Sequence, residues 1–212
     1  ELAEVYAELG RAGEAEALYR QVLAAREATV GPEDLSVAGT CQLLAGVCTT
    51  LGKDAEVERL LLRSLRIREI RLGATHPNLI VSQRDLADLC SASGRFAEAE
   101  EYLGRAKFIA ESIGKNSAEL ANVLEGFGNL RKQQGRYDQA EEMYQRSLAI
   151  LEKGGKGEAD IAHTLGGLSR LYLLTERHDA AAPVLQRRLR LLEAAHGKEA
   201  LQLVDSIEDL AT

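Results

Sequence analysis

Tryptophan is missing from this 212-residue chain, and cysteine, methionine and proline are scarce, with three, one and three residues. Three cysteines without a Cys-x-x-Cys pair, and with no histidine at ligand spacing, exclude a disulfide-stapled scaffold and a structural zinc site. Cys41 lies two helical turns before Cys48 on roughly one face, so these thiols, with Cys90, are expected to be buried as small hydrophobes in a reducing, cytoplasmic setting. No apolar run approaches the ~20 residues of a membrane-spanning helix, and no signal-peptide pattern stands at the first residues. Basic charge is also short: 26 Lys and Arg against 33 Asp and Glu, a formal net charge of −7. That balance opposes binding to a phosphate backbone or to an anionic membrane, so neither nucleic acid nor membrane is an expected partner.

Catalytic signatures are missing as well. There is no His-Glu-x-x-His, no Gly-Lys-Ser/Thr phosphate loop and no Gly-x-Ser-x-Gly elbow. Gly154-Gly155-Lys156-Gly157 is glycine-rich, but it follows a helical pattern and lacks the Ser/Thr, so it reads as a connector. His76 before Pro77 suits a turn or cap, His178 a packing position, and His196 a helix end. The chain is therefore expected to be no enzyme, with no cofactor and no metal ligands.

What is present is a repeat. A large apolar residue followed by a small one recurs as Leu2-Ala3, Leu44-Ala45, Leu86-Ala87, Phe127-Gly128, Leu168-Ser169 and Leu210-Ala211, in steps of 42, 42, 41, 41 and 42 residues. A second ladder, in register, runs Gly10-Arg11, Gly52-Lys53, Gly94-Arg95, Gly135-Arg136 and Glu176-Arg177. A third runs Gly31, Gly73, Gly114, Gly155 and Gly197. Periods of this length mean stacked units that bury their apolar faces on their neighbours. Apolar spacing of three and four residues up to the second ladder, and again beyond it, makes each unit two helices. In the second helix a small residue (Ala15, Val57, Ala99, Ala140, Ala181) precedes a large one by a turn (Tyr19, Leu61, Leu103, Tyr144, Leu185). The small residue permits close helix approach and the large one fills the adjacent gap. Acidic pairs such as Glu100-Glu101 and Glu141-Glu142, and the run Arg187-Arg188-Leu189-Arg190, are expected to be solvated helix faces.

The motif Leu-Ala-x-x-Tyr/Cys-x-x-x-Gly-Arg-x-x-x-Ala-Glu, as at Gly94-Arg95-Phe96-Ala97-Glu98-Ala99-Glu100, resembles the tetratricopeptide repeat. The period near 42 and the connector Gly73-Ala74-Thr75-His76-Pro77 are similar to the longer, kinesin light chain-type variant. The resemblance implies an all-α, right-handed solenoid of stacked helical hairpins that binds proteins or peptides. It implies one solenoid domain over 1–212, with units at about 1–35, 36–77, 78–118, 119–159 and 160–202 and the start of a sixth at 203–212. The Asn-Asn pair that the variant often carries before Leu-Ala is missing from every unit, so its cargo and motor partner do not carry over.

In such hairpins the first helix lines the concave side. Counting from the motif Leu/Phe, positions −5, −2, +2, +5 and +6 share a face turned from the core. They are Glu4 and Glu8 in the first unit, then Gln42, Gly46, Thr49 and Thr50. The third unit offers Val81, Arg84, Asp88, Ser91 and Ala92, and the fourth Asn122, Glu125, Asn129, Lys132 and Gln133. The fifth offers His163, Gly166, Arg170, Leu173 and Leu174, and the unfinished sixth Asp205 and Glu208. The candidate groove is drawn from the third to fifth units: amides for a peptide backbone, charge, and Leu173-Leu174 as an apolar anchor. Changing Asn129 and Arg170 to alanine is expected to weaken partner binding with little effect on stability. The alternative is a structural one: an oligomerisation scaffold or regulatory segment of a longer protein, self-associating through ends that carry no polar cap. Single-stranded RNA readout fits poorly with an acidic chain.

Overall fold

The computed structural model describes residues 2–154 and 157–196. Among them there are ten α-helices and no strand: α1 (Leu2–Glu8), α2 (Ala12–Val30), α3 (Leu35–Thr50), α4 (Asp54–Leu72), α5 (Leu79–Ala92), α6 (Phe96–Ile113), α7 (Ala118–Gln133), α8 (Tyr137–Gly154), α9 (Glu158–Leu174) and α10 (His178–His196). The expected all-α array of helical hairpins is what forms. Two compact units can be distinguished, Glu1–Ile109 and Ala110–Thr212. In the first, α1 packs on α2, α2 on α3, α3 on α4 and α4 on α5; in the second, α7 packs on α8, α8 on α9 and α9 on α10. Gly155, Gly197 and the expected sixth repeat, with Asp205 and Glu208, lie outside the described residues.

The Gly-Arg ladder is the turn within each hairpin. At the end of α5 the Arg95 N–H donates to the Cys90 carbonyl at 2.8 Å and the Gly94 N–H to Ser91 at 3.0 Å. That pair of bonds needs a left-handed residue between them, which glycine adopts without a Cβ clash. Gly10, Gly52, Gly94 and Gly135 have φ between 68° and 74°. The fifth hairpin makes the same bonds, Arg177 to Tyr172 and Glu176 to Leu173, with a non-glycine residue at φ 58°. A left-handed side chain costs ~1–2 kcal/mol and glycine's unfolded-state freedom returns ~0.5–1. Glu176→Gly is therefore expected to stabilise the protein by about 0.5–1 kcal/mol, read as a higher urea midpoint; an unchanged or lower midpoint would contradict this.

In three hairpins the residue after that left-handed position ties the hairpin to the one before. Lys53 Nζ reaches Glu16 at 2.7 Å, Arg95 reaches Glu58 at 2.7 Å, and Arg177 reaches Glu141 at 2.5 Å. Glu141 also accepts from the Tyr172 hydroxyl at 2.8 Å and is largely covered, so it is an inter-hairpin tie and not the solvated face expected. Where the chain passes between hairpins, caps set the next helix. Asp34 accepts from the Ser36 N–H at 2.8 Å, and Ser117 from the Leu120 N–H at 3.1 Å. His76 Nδ1 accepts from the Asn78 N–H at 3.1 Å, the turn role expected for it.

All ten residues of the small-large series are buried, from Ala15 and Tyr19 through Ala181 and Leu185. The three cysteines are buried too, and burial pushes each thiol above its ordinary range. His178, expected to pack, is instead exposed at the first residue of α10, where the helix start turns it to solvent.

Candidate binding groove

In the first unit the first helices present two adjoining hollows. The larger, about 520 Å³, is walled by Gln42, Gly46 and Thr49 of α3 and by Asp85, Asp88 and Ala92 of α5. Val57 and Leu61 of α4 contribute to its lining, with Leu89 and Asp54. The smaller, about 290 Å³, lies along α1 and α3, lined by Glu4, Glu8, Gly46, Thr50 and the buried Tyr19 among others. Gly46 belongs to both. A Cβ added there would meet no atom within 4 Å, so the glycine leaves space and not merely close packing.

Asp85 is the polar hinge of the larger hollow. Its Oδ2 accepts from Gln42 Nε2 at 2.6 Å, which joins α3 to α5. Burial pushes the Asp85 carboxyl above the usual carboxylate range, against the pull of the Gln42 bond and of Arg84 and Arg68. Burial in turn holds Arg68 below the ordinary guanidinium range, while its head bonds Ser82. Arg84, expected on the face, is half-buried and does not line the hollow, whereas Asp88 is exposed in its wall. Asp85, Asp54 and the apolar part of the lining were not foreseen. The place of Asp85 next to the motif Leu was the available signal, because one step along a helix from an inward residue is a flank that a neighbouring helix can reach.

The corresponding face of the second unit is built differently. Glu125 is only 2% exposed, so its expected place turned away from the core is corrected: α9 and its own helix close over it. Its Oε2 lies 2.9 Å from Nδ1 of the exposed His163, and its Oε1 accepts from Asn129 Nδ2 at 3.3 Å. Asn129 Oδ1 accepts from the Tyr144 hydroxyl at 2.7 Å. The Asn129 amide, expected to be open to a peptide, is thus engaged within the protein. Lys132 is half-buried, and burial, with Arg170 nearby, holds its ammonium below the usual range against the opposing charge of Glu125. Asn122 is half-buried, and Gln133 and Arg170 are exposed. The Leu173-Leu174 anchor divides: Leu173 packs on the core of α8, α9 and α10, while Leu174 is exposed. In the basic run Arg187 pairs with Glu152 at 2.7 Å, and the Arg188 guanidinium lies where a Cβ on Gly166 would sit 3.1 Å from it, so only part of that run is solvated.

The model of the tetratricopeptide repeat family matches residues 1–70, 42–112, 107–153 and 119–194. The chain belongs to the tetratricopeptide repeat family. Among solved structures, BtubC (BKLC) from P. vanneervenii is 25% identical, with a TM-score of 0.70 over 92% of this chain and 79% of that one. A putative kinesin light chain from Podosopora anserina, with nearly identical TPR-like repeats, is 24% identical at a TM-score of 0.68, covering 92% and 93%. A Rap protein complexed with Competence and Sporulation Factor is 15% identical at a TM-score of 0.74, covering 90% of this chain and 52% of that one. The last two likenesses are of fold alone. By sequence, no curated protein matches the chain.

Two other features of this tetratricopeptide repeat chain bear on function. Ligand atoms of Glu16, Cys48 and Glu56 lie within 4.8 Å of one another. Both carboxylates are held by Arg20, Glu16 by Lys53 as well, and burial raises the Cys48 thiol, so the group reads as an inter-hairpin ion-pair network. No helix among the described residues is long and apolar enough to cross a membrane.

Proposed function

We propose that this chain is a non-enzymatic protein-interaction module that takes an extended segment of a partner along α1, α3 and α5. The observation that carries the reading is the pair of hollows meeting at Gly46, which lie on the first-helix face. Their combined run suits a chain segment with successive side chains better than one small molecule, and both fall in or near the size of ordinary ligand pockets. The Rap relative, complexed with Competence and Sporulation Factor, supports a binding role for the fold. In the second unit Gln133, Arg170 and Leu174 form a separate accessible surface, proposed as a further contact site.

The test is selection of a displayed dodecapeptide library on the intact protein, with re-binding to Gly46→Phe. The open space above Gly46 admits the ring without strain on the core, and a side chain there favours the helix. Enriched peptides are expected to lose at least tenfold in affinity, about 1.4 kcal/mol, while the melting temperature does not fall. Peptides that bind wild type and Gly46→Phe alike would place binding elsewhere.

A further inference from the structure

Of the Asp, Glu, Lys, Arg and His side chains lining the two hollows, all are acidic: Glu4 and Glu8 in the smaller, Asp54, Asp85 and Asp88 in the larger. The contributions come from three helices, α1, α4 and α5, so the acidity belongs to the groove and not to one helix face. Arg68 and Arg84, the bases acting on Asp85, line neither hollow. Beside the carboxylates the lining of the larger hollow includes the apolar Val57, Leu61 and Leu89. A hollow that offers apolar side chains and carboxylates together is complementary to a side chain with an aliphatic stem and a cationic head, which is the chemistry of lysine and arginine.

Resting on the groove reading above, we infer that the partner segment is basic, with lysine or arginine side chains seated in the hollows either side of Gly46. The stem covers Val57 and Leu61, and the head reaches Asp85 and Asp88. An acidic segment would meet repulsion from all five carboxylates, as would a phosphate backbone. The Tyr19 phenol registers this field, raised by burial and then by Glu4 and Glu8, whereas the Asp85 carboxyl is raised by burial alone. A bound cation would favour the ionised carboxylate that burial now disfavours.

The experiment takes library peptides that lose affinity on Gly46→Phe and replaces each of their lysines or arginines in turn by norleucine, which keeps the stem and drops the charge. At least one replacement per peptide is expected to weaken binding tenfold or more at about 50 mM salt, with the difference shrinking severalfold at about 500 mM. Lysine-to-arginine exchange at that position separates a general cation site from one selective for either head. On the protein side, Glu8→Gln with Asp88→Asn changes two exposed acids, leaves the core intact, and is expected to bring the norleucine penalty below about threefold. If the Gly46→Phe-sensitive peptides contain no basic residue, or if norleucine binds equally well, the basic partner is overturned while the groove stands. If no peptide is sensitive to Gly46→Phe, both fall.

Discussion

Gly128→Ala is expected to destabilise the protein by about 1–3 kcal/mol, although the same exchange at an open helix site should stabilise it. A Cβ on Gly128 would stand 2.7 Å from Tyr144 Cε1, and one on Gly167 would stand 2.7 Å from the same atom. The ring of Tyr144, fully buried on α8, is therefore wedged where α7 and α9 run closest to it. Such contacts are cheap when a flexible side chain can move aside. This ring cannot do so freely, since retreat from one glycine must also respect the other and keep the phenol bond to Asn129. Overpacking of this kind costs ~1–3 kcal/mol and outweighs the ~1 kcal/mol that alanine gains over glycine in a helix. Gly46→Ala supplies the control: nothing lies within 4 Å of its added Cβ, so it should gain up to about 1 kcal/mol. In a Tyr144→Leu background, the smaller side chain should remove the cost of Gly128→Ala. Urea denaturation of wild type, the three single variants and the Tyr144→Leu/Gly128→Ala double variant decides it; a stabilised Gly128→Ala in the wild-type background would mean the ring is not confined.

The hairpins, their turn and their core were legible because each rests on a local rule repeated five times. Gly-Arg marks a helix end wherever a left-handed residue is required, and the bonds recur even where Glu176 replaces the glycine. Ala99 and Leu103 declared their burial by spacing alone, since four residues bring a helix back to the same face. The candidate face was legible only as a direction. Helical phase placed Gln42, Gly46, Thr49, Asp88 and Ala92 on one side, and they do wall a single hollow. Phase could not say how deep that side is. Depth depends on the neighbouring helices, and so on Gly46 lacking a side chain and on Val57 and Leu61 of α4 in the lining. For the same reason Glu125 and Asn129 looked open when counted along their own helix. A tyrosine from α8 and a histidine from α9 arrive from 15 and 38 residues away to occupy them. Pairings between helices leave no trace in the period of one.

Those pairings reverse the expectation for Asn129→Ala. The side chain looked dispensable to stability; instead its loss is expected to cost about 1–3 kcal/mol, the range for removing one partner of a buried hydrogen bond. Two bonds go at once: the acceptor of the Tyr144 phenol at 2.7 Å and the amide donor to Glu125 at 3.3 Å. The first carries more weight, being the shorter and belonging to a ring with no solvent exposure. Tyr144→Phe removes the same bond from the other side, so the two single changes should not add. A coupling on the order of 1 kcal/mol in the double-mutant cycle is expected. Gln133→Ala and Arg170→Ala, both on exposed side chains of the same face, should stay within ~0.5 kcal/mol of wild type. That contrast separates the two roles the face could have. If Asn129→Ala proves as silent as Arg170→Ala, the phenol bond contributes nothing to the fold and the amide is free for a ligand. If the cycle shows the coupling, Asn129 holds Tyr144 in its slot between Gly128 and Gly167, and loss of partner binding in Asn129→Ala would report a loosened second unit, not a lost contact.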